Sequence, residues 1–218
     1  MTPHAGLWAG VRLTVPLAVA VAGFGVSFGV LARAAGLGVL APVVMSATTF
    51  AGSSQFAAVS ILGAGGGVAT AIVAAVLLNT RYAPIGLAAA GALRGGRVRR
   101  ALEAQLVVDE SWALAKRPGG RFDRGVLLGA GLTLYVAWLA GTAVGAVAGE
   151  ALGDPEALGL DAAFPALFLA LLVAQVRSRK TTAAAVAGAA LALSLTPFTP
   201  AGIPVLAATA ACLIGVRR

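Results

Sequence analysis

The sequence predicts an all-α membrane protein: a polytopic helical bundle of about seven spans, some of them interrupted. Three observations point there. Hydrophobic residues make up 59% of the 218 and charged residues 11%, against about 25% charged in a soluble domain. The mean hydropathy is +0.93. Apolar runs close to the roughly 20 residues that cross a bilayer recur from one end to the other. This composition excludes a disordered chain and most soluble enzymes, and residues 1–218 read as one integral membrane domain.

In the first run, Val11–Ala32, Arg12 precedes the apolar stretch Leu13–Ala32, and Ala32-Arg33-Ala34 at its end looks like a cleavage site. A signal peptide has an apolar core of about 7–15 residues, so the longer run here is expected to be a retained helix. The second, Val39–Leu62, contains Gly52-Ser53-Ser54-Gln55. Thr48, Gly52 and Gln55 share one helical face. Glycine among hydroxyls can open the helix, and a carboxylate fits the freed N–H groups of a helix start. The third, Val68–Leu93, holds Asn79-Thr80-Arg81 and then Pro84. An Arg deep in a span needs a carboxylate partner or binds a substrate's carboxylate; near a span end it only snorkels to the headgroups.

The stretch 94–124 carries 8 of the 16 basic residues. Such loops stay cytoplasmic, and the charge is better spent on orientation and lipid headgroups than on nucleic acid. Its middle, Val98–Leu114, mixes apolar and charged residues and is expected to be an interfacial helix. The fourth run, Gly125–Gly149, has Gly141, Gly145 and Gly149 at intervals of four, continued by Gly153. Small residues so spaced let helix backbones approach, within one bundle or at a partner's seam. An acidic connection follows, and then three shorter runs: Asp161–Val176 with Pro165 near its start, Thr181–Leu195 and Gly202–Val216. Counting spans back from the basic loop puts the N-terminus on the opposite side. If the third run turns back on itself, the N-terminus is cytoplasmic.

Gly25 and Gly29 match Gly141 and Gly145 at an offset of 116, a possible inverted repeat of the kind that places broken helices at a transporter's site. No cofactor is expected: His4 is the sole histidine, Cys212 the sole cysteine, and no phosphate loop or metal cluster is visible. Titratable groups that could couple transport to protons are Asp109 and Asp161.

Several blocks resemble the AzlC family, the large subunits of bacterial branched-chain amino acid exporters. They are Phe24-Gly25-Val26-Ser27-Phe28-Gly29, Phe50-Ala51-Gly52-Ser53-Ser54-Gln55-Phe56, Leu78-Asn79-Thr80-Arg81, Asp109-Glu110-Ser111 and Gly159-Leu160-Asp161 followed by Pro165. Tyr82 stands where the family usually has histidine, which weakens any histidine-based proton relay. The resemblance implies a seven-span carrier in the bacterial inner membrane, exporting neutral aliphatic amino acids by proton exchange, with a small AzlD-type membrane partner. The substrate's charged groups are expected near Gly52, Ser53, Ser54, Gln55, Asn79 and Arg81. Its side chain is expected among Met45, Phe50, Phe56 and Phe168. The rival readings are a passive channel and a membrane subunit that transports nothing.

Overall fold

The computed structural model describes residues 3–149, 176–200 and 202–212, with Gly159, Ala166, Leu169, Leu172 and Val173 between them. Among these residues are ten α-helices and no strand beyond one bridging pair, Lys116–Phe122. Asp161, Pro165 and Phe168 lie outside the described residues, as does most of the fifth apolar run.

Two helices form the scaffold. α1 (Pro3–Ala34) and α8 (Arg124–Ala148) are each long and apolar enough to cross a membrane. Their glycines set the contact. A Cβ on Gly25 would lie 2.7 Å from Trp138 O, and one on Gly125 would lie 2.8 Å from Gly6 C. On Gly29, Gly141 or Gly145 it would strike the facing backbone at Thr142, Ala22 or Val26. The helices therefore meet backbone to backbone, where any larger residue would hold them apart. Partner numbers rise together, Gly6 with Gly125 and Gly29 with Gly145, so the two helices run parallel. This gives the offset of 116 a packing reason, since the matched glycines face each other. Helices exchanged by an inverted repeat would run in opposite directions, so this pair lends the inversion no support.

The second apolar run does not cross. α2 (Leu40–Thr48) and α3 (Gly52–Gly63) are antiparallel half-helices. Gly63 returns to Ala35 at the end of α1, while the turn between them lies beside Tyr135 and Trp138, midway along α8. At 9 and 12 residues and 1.5 Å per residue, each reaches about half of a bilayer core of about 30 Å. Phe50 makes the turn with φ 42°, a strained value for a bulky residue.

The third run does cross, but bent. α4 (Val68–Asn79) and α5 (Tyr82–Ala89) meet at 41° across Thr80-Arg81. α4 packs on α3, and Ala89 ends up in a cluster with Val107, Ala115, Val126 and Leu127 at the start of α8. It is thus the second run, rather than the third, that turns back, and α1 begins at the same end as the basic loop.

The stretch expected as one interfacial helix forms two. α6 (Arg97–Ala104) stays level with Arg124, to which its Glu103 is bonded. The chain then rises: Leu106 packs against Gly131, and Val108 joins a cluster with Leu134 and Trp138. α7 (Asp109–Ala115) descends again until the Ala115 carbonyl accepts from Asp123 N–H at 2.8 Å. α9 (Arg179–Leu195) packs on α10 (Ile203–Ala208), which reaches α4 through Leu206 and through Gly202 beside Thr70.

Candidate functional site

Two hairpins from opposite ends of the bundle meet at mid-height. The Gln105 side-chain amide donates to Thr48 O at 2.8 Å, joining the end of α6 to the end of α2. Beside this junction lie the start of α3, the α4–α5 bend and the start of α7.

Behind the start of α3 is a closed polar knot. Gln55 is 1% exposed. Its Oε1 accepts from Ala51 N–H at 3.2 Å and Trp138 Nε1–H at 3.1 Å, and its Nε2 donates to Ser46 Oγ at 2.9 Å. Ser46 Oγ lies 2.9 Å from Thr142 Oγ1. Gln55 therefore caps the broken helix and pins α2 and α3 to α8. In an apolar interior such a group must be satisfied, and here it is. Ser54 is likewise buried, donating to Ala51 O at 2.9 Å. Phe56 is buried edge-on to Phe28, at 5.6 Å between ring centroids, and Met45 packs between two core clusters.

In front of the knot is a cavity of about 230 Å³. Gly52 and Ser53 from the first turn of α3 line it, and the N–H groups of that turn have no acceptor within the helix. Arg81 enters from the bend. It donates to Ser53 Oγ at 2.9 Å, pairs with Asp109 Oδ2 at 3.2 Å and lies 5.1 Å over the Tyr82 ring. Its Nε is buried without a hydrogen-bond partner. The bonds to Ser53 and Asp109 tie Arg81 to the α3 start and the mid-height junction, and the carboxylate it needs comes from the start of α7. Asp109 and Glu110 complete the polar wall. Leu17, Val21, Phe24, Phe50, Leu134 and Trp138 form an apolar one.

Of the residues expected at the site, Phe50, Gly52, Ser53, Arg81 and Asp109 come together on this cavity. Ser54, Gln55, Met45 and Phe56 stand behind it, and Asn79 lies off it with a buried Oδ1 that has no hydrogen-bond partner. Glu110 and Tyr82, which the sequence marks beside Asp109 and Arg81 without placing them at the substrate, also line the cavity; Trp138 and the α1 face Leu17–Val21–Phe24 were not expected there.

A second charged cluster stabilises the basic end. Glu103, 7% exposed, accepts from Arg124, from Arg99 Nε–H at 3.0 Å and from Arg94 N–H at 3.1 Å. These bonds, that of Arg124 foremost, hold its pKa down at about 2.

An all-helical membrane protein whose interrupted helices converge on a mid-depth polar cavity has the build of a small-solute transporter. A family model described as AzlC protein matches residues 16–152, more than half of the chain, and the chain belongs to that family. It is 26% identical over 202 residues to the branched-chain amino acid transport protein AzlC of Bacillus subtilis (strain 168), covering 89% of this chain and 79% of that one. It is 32% identical over 197 residues to an uncharacterized membrane protein of Archaeoglobus fulgidus, covering 89% and 87%. It is 27% identical over 199 residues to the inner membrane protein YgaZ of Escherichia coli (strain K12), covering 85% and 80%. No solved structure matches it.

Proposed function

We propose that the protein is a secondary carrier that exports branched-chain amino acids across the bacterial inner membrane in exchange for protons, together with a small AzlD-type membrane subunit. The observation that carries this reading is the cavity. It offers a cationic end at Arg81 and Ser53, carboxylates at Asp109 and Glu110, and an apolar wall from α1, α8 and Phe50. A zwitterion with an aliphatic side chain needs those three surfaces and little else. The substrate carboxylate takes Arg81 and the open N–H groups of Gly52 and Ser53. Its side chain lies against Val21, Phe24, Phe50 and Leu134. Gln55 supports the site from behind and does not touch the substrate.

The basic end, with Arg97, Arg99, Arg100 and Arg121 exposed, is cytoplasmic. The parallel course of α1 and α8 then puts the N-terminus inside, where Arg12 agrees with it. Asp161 and Phe168 remain candidates from the sequence.

The test is leucine and valine flux in proteoliposomes under an imposed pH gradient, with and without the small subunit. Gradient-driven flux that falls at least about tenfold in Arg81→Ala, the loss of one charged hydrogen bond, supports the reading. Flux indifferent to the gradient identifies a passive pore. No flux in either preparation identifies a subunit without transport of its own.

A further inference from the structure

We infer that Glu110 is the point where proton and substrate exclude each other: its carboxylate holds either the substrate's ammonium or one proton. This rests on the amino-acid carrier reading and names the residue that would couple it.

The two carboxylates at the start of α7 are not equivalent. Asp109 is committed to Arg81 at 3.2 Å. Glu110 lines the same cavity, is exposed, and forms no ion pair among the described residues. The charged or titratable groups around it are few. Its own helix contributes Asp109, and the α4–α5 bend contributes Arg81 and Tyr82. The cavity linings from α1, α3 and α8 bring no charge: Leu17, Val21, Phe24, Gly52, Ser53 and Trp138. With Arg81 matched by Asp109, an ionised Glu110 leaves the cavity one negative charge in excess. Such a charge inside a bilayer is costly. A proton removes it; a substrate ammonium pairs with it while the substrate's carboxylate takes Arg81, so the loaded cavity keeps one net negative charge and the protonated one keeps none.

Exchange follows from this occupancy. With Glu110 protonated the cavity is neutral and has no unpaired carboxylate for an ammonium. When an amino acid enters from inside, the ammonium replaces the proton, which leaves to the cytoplasm. Outside, the ammonium departs and a proton from that side returns to Glu110. One zwitterion moves out as one proton moves in, so each cycle carries one positive charge inward.

The test is equilibrium binding of radiolabelled L-leucine to the detergent-purified protein, alone and together with the small subunit, from pH 8 to pH 5. In the wild type, Kd should weaken towards the limit of about tenfold per pH unit on the acid limb, the slope for loss of one proton. In Glu110→Gln, Kd should be pH-independent and at least tenfold weaker than that of the wild type at pH 8. Glu110→Asp keeps a carboxylate and should restore a pH-dependent Kd, which separates the role of the charge from damage to the fold. 4-Methylpentanoate, which lacks the ammonium, should show no weakening with falling pH in the wild type. A flat leucine profile in the wild type, or an unchanged slope in Glu110→Gln, overturns the assignment while leaving the carrier reading standing. Wild-type protein that binds no leucine at any pH, alone or with the small subunit, overturns both.

Discussion

The glycine seam between α1 and α8 and the junction of half-helices beside it solve opposite problems with neighbouring pieces of chain. Along the seam nothing polar is needed: two continuous helices satisfy their own backbones, and small residues bring them into contact. At the junction α3, α5 and α7 all begin within the bundle, so N–H groups, hydroxyls and charges collect where lipid would otherwise be. The contrast divides a scaffold that has no room to change from a site whose polar groups can exchange partners. Trp138 belongs to both, packing on Phe28 at 5.8 Å between ring centroids while its Nε1–H reaches Ser46 and Gln55.

This division can be broken first at the seam. Gly145→Leu places a side chain where Val26 backbone already lies. Separating the helices should cost more than about 4 kcal/mol, seen as loss of monodisperse protein on size exclusion. Full-yield Gly145→Leu would mean that the seam is not tight. Next comes the knot. Gln55→Ala strips partners from Ser46, Trp138 and Ala51 and should destabilise by about 2–3 kcal/mol, read as a lowered Tm in detergent. A Gln55 variant of unchanged Tm that loses leucine binding would instead make it a direct ligand.

The Glu103 cluster sharpens the comparison through pH. Its folded pKa is depressed to about 2 from 4.5. The stability it adds is thus present above about pH 4.5 and is lost as pH falls towards 2. Glu103→Gln should lower Tm at neutral pH by a cost of about 1.5–3 kcal/mol, and the gap from wild type should close on acidification. The smallest effect is expected at Gly23, on α1 but off the seam, where an added Cβ meets nothing within 4 Å. Gly23→Ala should leave Tm unchanged or raise it slightly, by about 0.5–1 kcal/mol of helix propensity.

By itself the sequence determined the membrane class, most helical stretches, the break at Asn79–Arg81, the glycine faces and, one turn too late, the break in the second run, which falls at Thr49–Ala51 with Gly52–Gln55 already helical. These depend on hydropathy and on local backbone chemistry, which neighbours along the chain carry. The tertiary structure decided how each break is used. An opened helix start reads the same whether it crosses or turns back, so only packing made Val39–Leu62 a hairpin and Val68–Leu93 a bent crossing. Gln55 and Ser53 are two residues apart, on different faces of α3; contact with Trp138 turned one into the protein's interior and contact with Arg81 turned the other to the cavity. Arg81 needed a carboxylate, but which one came from a helix 28 residues on, because α7 rises to it. In a bilayer, lipid and core are equally apolar, so hydropathy marks what is buried from water without saying which face meets protein. That choice belongs to shape, and shape exists only once the helices are packed.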